Sequence, residues 1–161
     1  MNKKGISAVV ATVLIILITV AAVTIIWSAV IPMIRDNLSG GDDCFKAQSD
    51  VSIGSEGYTC IANNTAGNIS IQIKRGSGNF DLKEVQAIVH KGGQSTSVTL
   101  NTTNAVGSKM PGVNQATIFY VADPANFANA TKLEIAPIIT VGNTKKNCGI
   151  AQSVDLAPCS A

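Results

Sequence analysis

Apolar and polar positions fall into two unlike patterns along this 161-residue chain. From Ile6 to Ile34 there is no ionisable side chain, and only hydroxyls (Ser7, Thr12, Thr19, Thr24, Ser28) interrupt the apolar run. A helix drawn through it has no polar face, so the pattern predicts a rod that must be covered on every side. From Arg35 onward the chain turns polar and rich in Gly, Ser, Thr and Asn, and its apolar residues come in short runs. RDNLSGGDDC (35–44) is full of turn formers and predicts a hinge at 36–44.

Beyond the hinge, β-branched and aromatic runs predict strands near Phe45–Ile53, Tyr58–Ala62, Ile69–Arg75, Leu82–His90, Ser95–Leu100, Ala116–Ala122, Leu133–Val141 and Ile150–Leu156. SIQIKRG and STSVTL alternate as half-buried strands do, and HKGGQS reads as a hairpin turn. DPANFANATK allows a short helical turn as well as a loop. The expected class is α+β: a long N-terminal hydrophobic α-helix (6–35) followed by an antiparallel β-sandwich of immunoglobulin-like kind over 45–161.

Length decides what the rod can do. Twenty-nine uncharged residues make a helix about 43 Å long at about 1.5 Å per residue. A bilayer's hydrocarbon core needs roughly 20 residues. Lys3 and Lys4 mark the cytoplasmic end, and Trp27 stands where an interfacial aromatic often lies. A secretory signal has an apolar core of only about 7–15 residues. An uncut signal anchor carrying one outer domain fits the length, and so does a rod freed by cleavage after Gly5. Of the 12 basic side chains, removing the two leader lysines leaves 10 against 10 acidic ones. That balance gives no electrostatic footprint for nucleic acid.

KKGISAVVATVLIILITVAAVTIIW resembles the N-terminus of archaeal type IV pilins and archaellins. The resemblance implies that a prepilin peptidase cuts between Gly5 and Ile6, removing the basic leader 1–5. Lys3, Lys4, Gly5 and Ile6 would be the processing residues. Ile6, Val10, Leu14, Leu17, Ala21, Ile25 and Trp27 would line the membrane helix and later the filament core. Bacterial pilins carry Glu where this chain has Val10, so the archaeal branch fits better. The implied function is a structural subunit of an extracellular pilus-like filament, stored in the membrane before assembly. Its partners would be other copies of itself, the prepilin peptidase, a membrane assembly platform with its motor, and the bilayer. The alternatives are a single-pass anchored binding module that never polymerises, and an archaellin.

Cys44, Cys60, Cys148 and Cys159 all lie beyond the rod. Outside a membrane an even set of thiols implies disulfides, and three pairings are open. No Cys-x-x-Cys spacing supports a metal site, and none is expected. Asn-x-Ser/Thr triplets begin at Asn37, Asn63, Asn68, Asn101 and Asn129, five candidate N-glycosylation acceptors. The sequence has no G-x-S-x-G, H-E-x-x-H or P-loop spacing. His90 is a lone histidine, and the adjacent Asp42 and Asp43 lack the spaced ligands of a calcium loop. Neither an enzyme nor a cofactor is expected.

Overall fold

A computed structural model of the chain describes residues 8–54, 57–63 and 66–159. Contacts divide it into two compact units, Met1–Ser39 and Gly40–Ala161. The described residues begin with helix α1 (Ala8–Ile25), pass through a π-helical turn (Ile26–Val30) and continue as α2 (Ile31–Asp50). Pro32 accounts for the wider turn. Its ring would strike the carbonyl of Ser28 in a regular helix, and it offers no N–H to that carbonyl. One turn with i→i+5 bonding absorbs both conflicts without breaking the rod.

The expected hinge at 36–44 needs correction, because α2 runs through it to Asp50. The first strand, expected from Phe45, is correspondingly only β1 (Val51–Ile53). Gly40, Cys44 and Ala47 are buried, and so is Val51 just beyond the helix. Spacings of four, three and four put them on one helical stripe. A Cβ at Gly40 would lie 3.1 Å from Lys146 Nζ and 3.4 Å from Val141 Cγ1. Glycine here permits close approach rather than a turn. Each helical glycine costs about 1 kcal/mol against alanine. The Cys44–Cys148 disulfide and the buried stripe offset that cost.

The remaining strands are β2 (Cys60–Asn63), β3 (Asn68–Arg75), β4 (Asp81–Lys91), β5 (Gln94–Leu100), β6 (Ala116–Ala122), β7 (Lys132–Val141), β8 (Thr144–Asn147) and β9 (Gln152–Asp155). They make two antiparallel sheets, curled as half of a barrel. In one, β3 pairs with β6 on one side and with β1 and β2, in line, on the other. In the other the order is β5–β4–β7, and β8 and β9 lie in line along the free side of β7. Seven of the expected strands recur within about two residues; β8 was not expected. The KGGQ hairpin is present, with φ of 54° and 82° at Gly92 and Gly93. Two successive positive φ angles are what a two-residue turn of the right twist requires.

The interruption between β8 and β9 has a definite cause. Asn147 faces Ile138 and Gln152 faces Ile135, so four edge residues (148–151) stand opposite two (136 and 137). Pro137 is one of those two. Its carbonyl accepts the Cys148 amide at 3.0 Å, so its missing N–H lies on this same side. A regular edge strand would find no donor there, and the chain bulges instead.

Inward residues of both sheets meet in one core. Ile69, Ile71, Ile73 and Phe119 from the first sheet join Val85, Leu133, Ile135 and Ile139 from the second. Each is at most 1 % exposed. Of the two readings of DPANFANATK the helical one forms, as α3 (Pro124–Phe127), with Asp123 accepting from the amides of Ala125 and Asn126 as its N-cap. Phe127 plugs the core beneath it.

Candidate functional site: an uncovered apolar helix

The rod is the feature that needs a function. Ala8–Ile34 has a mean hydropathy of 3.0 over its most apolar window, and none of that window is buried. Val10 and Leu14 are about half exposed, while Leu17, Ile25 and Trp27 are 60–69 % exposed. Ala21 is exposed as well. Water is a poor medium for such a surface, at roughly 25 cal/mol per Å² of apolar area. The helix is long and apolar enough to cross a membrane, so it can serve as an anchor or as a signal sequence. Lys3, Lys4, Gly5 and Ile6 lie outside the described residues.

Among the described residues, the hydroxyls within the rod satisfy themselves. Thr12, Thr19 and Thr24 each donate a hydroxyl to the carbonyl three residues back at 2.8 Å, and Ser28 does the same at 3.2 Å. With their donors engaged, these side chains cost little in a medium that offers no hydrogen bonds. Small residues such as Ala11, Ala21 and Ala22 leave room for a second helix to come close.

The second unit is held covalently at two points, Cys44–Cys148 and Cys60–Cys159. The first ties α2 to the bulge opposite Pro137, and the Gln48 amide donates to the Cys148 carbonyl beside it. The second ties β2 to the C-terminal tail. That tail lies alongside β2, with the Ile61 amide on the Ala157 carbonyl and the Cys159 amide on the Ile61 carbonyl. Because the tail continues from β9, this bridge joins the two sheets. Both rings enclose about a hundred residues, with separations of 104 and 99. The sequence supplied the four thiols but left the pairing open.

The candidate glycan acceptors are spread out. Asn37 lies within α2, Asn68 opens β3, Asn101 follows β5 and Asn129 follows α3. Asn63 ends β2, but the other two residues of its triplet are outside the described residues.

Two clefts of about 330 and 310 Å³ flank Tyr120. The first is lined by Thr96, Ser97, Asn104 and Asp123 over Phe127; the second by Ala62 and Asn68. The one acid among them is the α3 cap, its carboxyl held below the usual range chiefly by its bond from the Asn126 side chain. Among the described residues no group of three or more His, Cys, Asp or Glu is placed to hold a metal.

One cluster escaped the sequence reading. His90 and Lys132 converge on Glu134, with Nε2 3.2 Å and Nζ 2.7 Å from its carboxylate oxygens. The Lys132 hydrogen bond and then His90 hold the Glu134 carboxyl below its ordinary value. The register that pairs β4 with β7 brings these residues together, at His90↔Lys132 and Ile88↔Glu134. Their separation in sequence hid it. Asp42 and Asp43 both face Lys46 on α2, and the hydrogen bond to Asp42 holds that ammonium above its ordinary value.

Comparison with family models, with curated proteins and with solved structures finds no match to this chain.

Proposed function

We propose that this chain is a structural subunit of an extracellular pilin-like filament, polymerised through its N-terminal helix. The observation that carries the proposal is the pairing of a 27-residue apolar helix, none of whose most apolar window is buried, with a separate, doubly disulfide-braced head. Disulfides persist in oxidising surroundings, which supports a head on the outer side of a membrane. In lipid the helix is solvated by acyl chains; in a filament, equivalent helices take their place. The motif KKGIS supports a processed leader, because cleavage after Gly5 makes the apolar run the mature N-terminus.

On this reading no residue is catalytic. The chain's partners are copies of itself, the peptidase that trims it and the platform and motor that extract it. An archaellin would share all of these features. For the head, an immunoglobulin-like sandwich is our finer reading, supported by two antiparallel sheets over one core.

The deciding experiment is the N-terminal sequence and intact mass of the protein sheared from its native cells. We expect a chain starting at Ile6 in high-molecular-weight material. A chain that retains Lys3 and Lys4 and stays with the membrane would overturn the filament and leave the anchored surface module.

A further inference from the structure

The five Asn-x-Ser/Thr triplets look alike in sequence, but the fold presents them differently. Glycan transfer needs an asparagine Nδ2 that a membrane enzyme can reach, a free hydroxyl two residues on, and a chain bent away from regular structure. The Asn37 triplet has helical backbone throughout. Asn68 is paired on both sides, with Asn63 and Ala122, and the hydroxyl of its Ser70 is buried and donated to the Tyr58 carbonyl at 2.9 Å. Asn129 is exposed, but the amide and hydroxyl of its Thr131 are both spent on the His90 carbonyl, at 2.9 and 3.3 Å. The residue between them, Ala130, is buried.

Asn101 differs on each count. It stands where β5 ends, half-buried, followed by exposed Thr102 and Thr103. Its Oδ1 accepts the Thr103 amide at 2.9 Å, which folds the triplet into an Asx turn, and its own amide donates to Asn104 Oδ1 at 2.8 Å. No bond engages its Nδ2 or the Thr103 hydroxyl among the described residues. We propose that Asn101 is the N-glycan acceptor of the folded head, taking an oligosaccharide from a lipid-phosphate donor.

The turn suits that reaction. A hydrogen bond at Oδ1 stabilises the charge that builds on oxygen as Nδ2 loses a proton to the transferase's base. The Nδ2 electron pair then forms a bond to the anomeric carbon. The bond from that carbon to the donor's phosphate oxygen breaks, and its electrons leave with the lipid phosphate. The site also has a use for the sugar. The main-chain groups of Ser95 and Ser97 face away from β4, and no further strand pairs with β5 among the described residues. An open edge of this kind invites pairing with other chains, and a bulky solvated group at its end hinders it.

The test does not depend on whether the helix polymerises. Tryptic cleavage after Lys91 and Lys109 isolates residues 92–109, whose single triplet is that of Asn101. In protein purified from its own cells, mass spectrometry should find this peptide carrying one glycan and the Asn68 triplet bare. Asn101→Gln and Thr103→Val should each remove that one glycan mass, and Thr103→Ser should retain it. A bare 92–109 peptide would overturn the proposal, whatever the other triplets carry, as would a glycan on that peptide that survives Asn101→Gln.

Discussion

Isoleucine and valine are abundant in both units of this chain, yet the two units dispose of them in opposite ways. In the rod, Ile16 and Ile18 are 60 and 67 % exposed, and no side chain of α1 is buried. In the head, Ile71, Ile73 and Ile135 are fully covered. The head's strands alternate, so each hides its apolar half and offers water the other. The rod has no other half. None of its most apolar window is buried, whereas the head completes its own core. Assembly should therefore respond to changes in the rod, and stability to changes in the head.

The largest effect should come from charge in the rod. Ala22→Asp places a carboxylate deep in the apolar run, at about 2.5–3.5 kcal/mol per subunit on insertion scales. On the proposed reading, repeated in every copy, that should abolish filaments in sheared fractions while the head's unfolding midpoint stays unchanged. Normal filaments from this variant would break the division. Conversely, Phe119→Ala empties a fully buried site and should destabilise the head by about 3–5 kcal/mol. Denaturant titration of the full chain in detergent measures it, and helix content in the rod should persist.

Next come the disulfides. Loop entropy for a ring of about a hundred residues limits each contribution to about 4.7 kcal/mol, with 2–4 typical. Replacing Cys60 and Cys159 together by serine should lower the head's stability within that range and leave the rod's insertion intact. Gly78→Ala should cost less, about 1–3 kcal/mol, because its Cβ would run into Asp50 Oδ2 and lie 2.9 Å from the Phe80 ring.

The smallest effect is electrostatic. Glu134 titrates below its ordinary 4.5 when folded. A depressed carboxylate stabilises the fold above that value, and the contribution disappears as pH falls through the folded pKa. Glu134→Gln should therefore flatten the acid limb of the stability curve below about pH 4.5 and change little at neutral pH. Equal slopes for both proteins in an acid titration would refute it.

What could be read beforehand follows from how directly each element writes itself into the chain. The rod needed only its composition. Strand β6 was legible end to end, because ATIFYVA is apolar, β-branched and aromatic. Strand β8 was not, because TKKN is exposed throughout and contributes nothing to a core. The glycines at 40 and 41 misled for a different reason. They are breakers in isolation, and only the closeness of Val141 shows why one helps α2 pack. The pairing of Cys44 with Cys148 rests on a bulge whose cause, Pro137, lies in another strand. Such facts belong to register, which no local window contains.

The two bridges also settle how the head would bear a pull. Tension arriving along α2 reaches Cys44 and crosses directly to Cys148, bypassing the hundred residues between them. From there the covalent path runs along the tail to Cys159 and returns through sulfur to Cys60. Most strands of both sheets, β3 to β8, stand off this load path. A head braced in this way, if pulled along α2, would load its two bridges before its core.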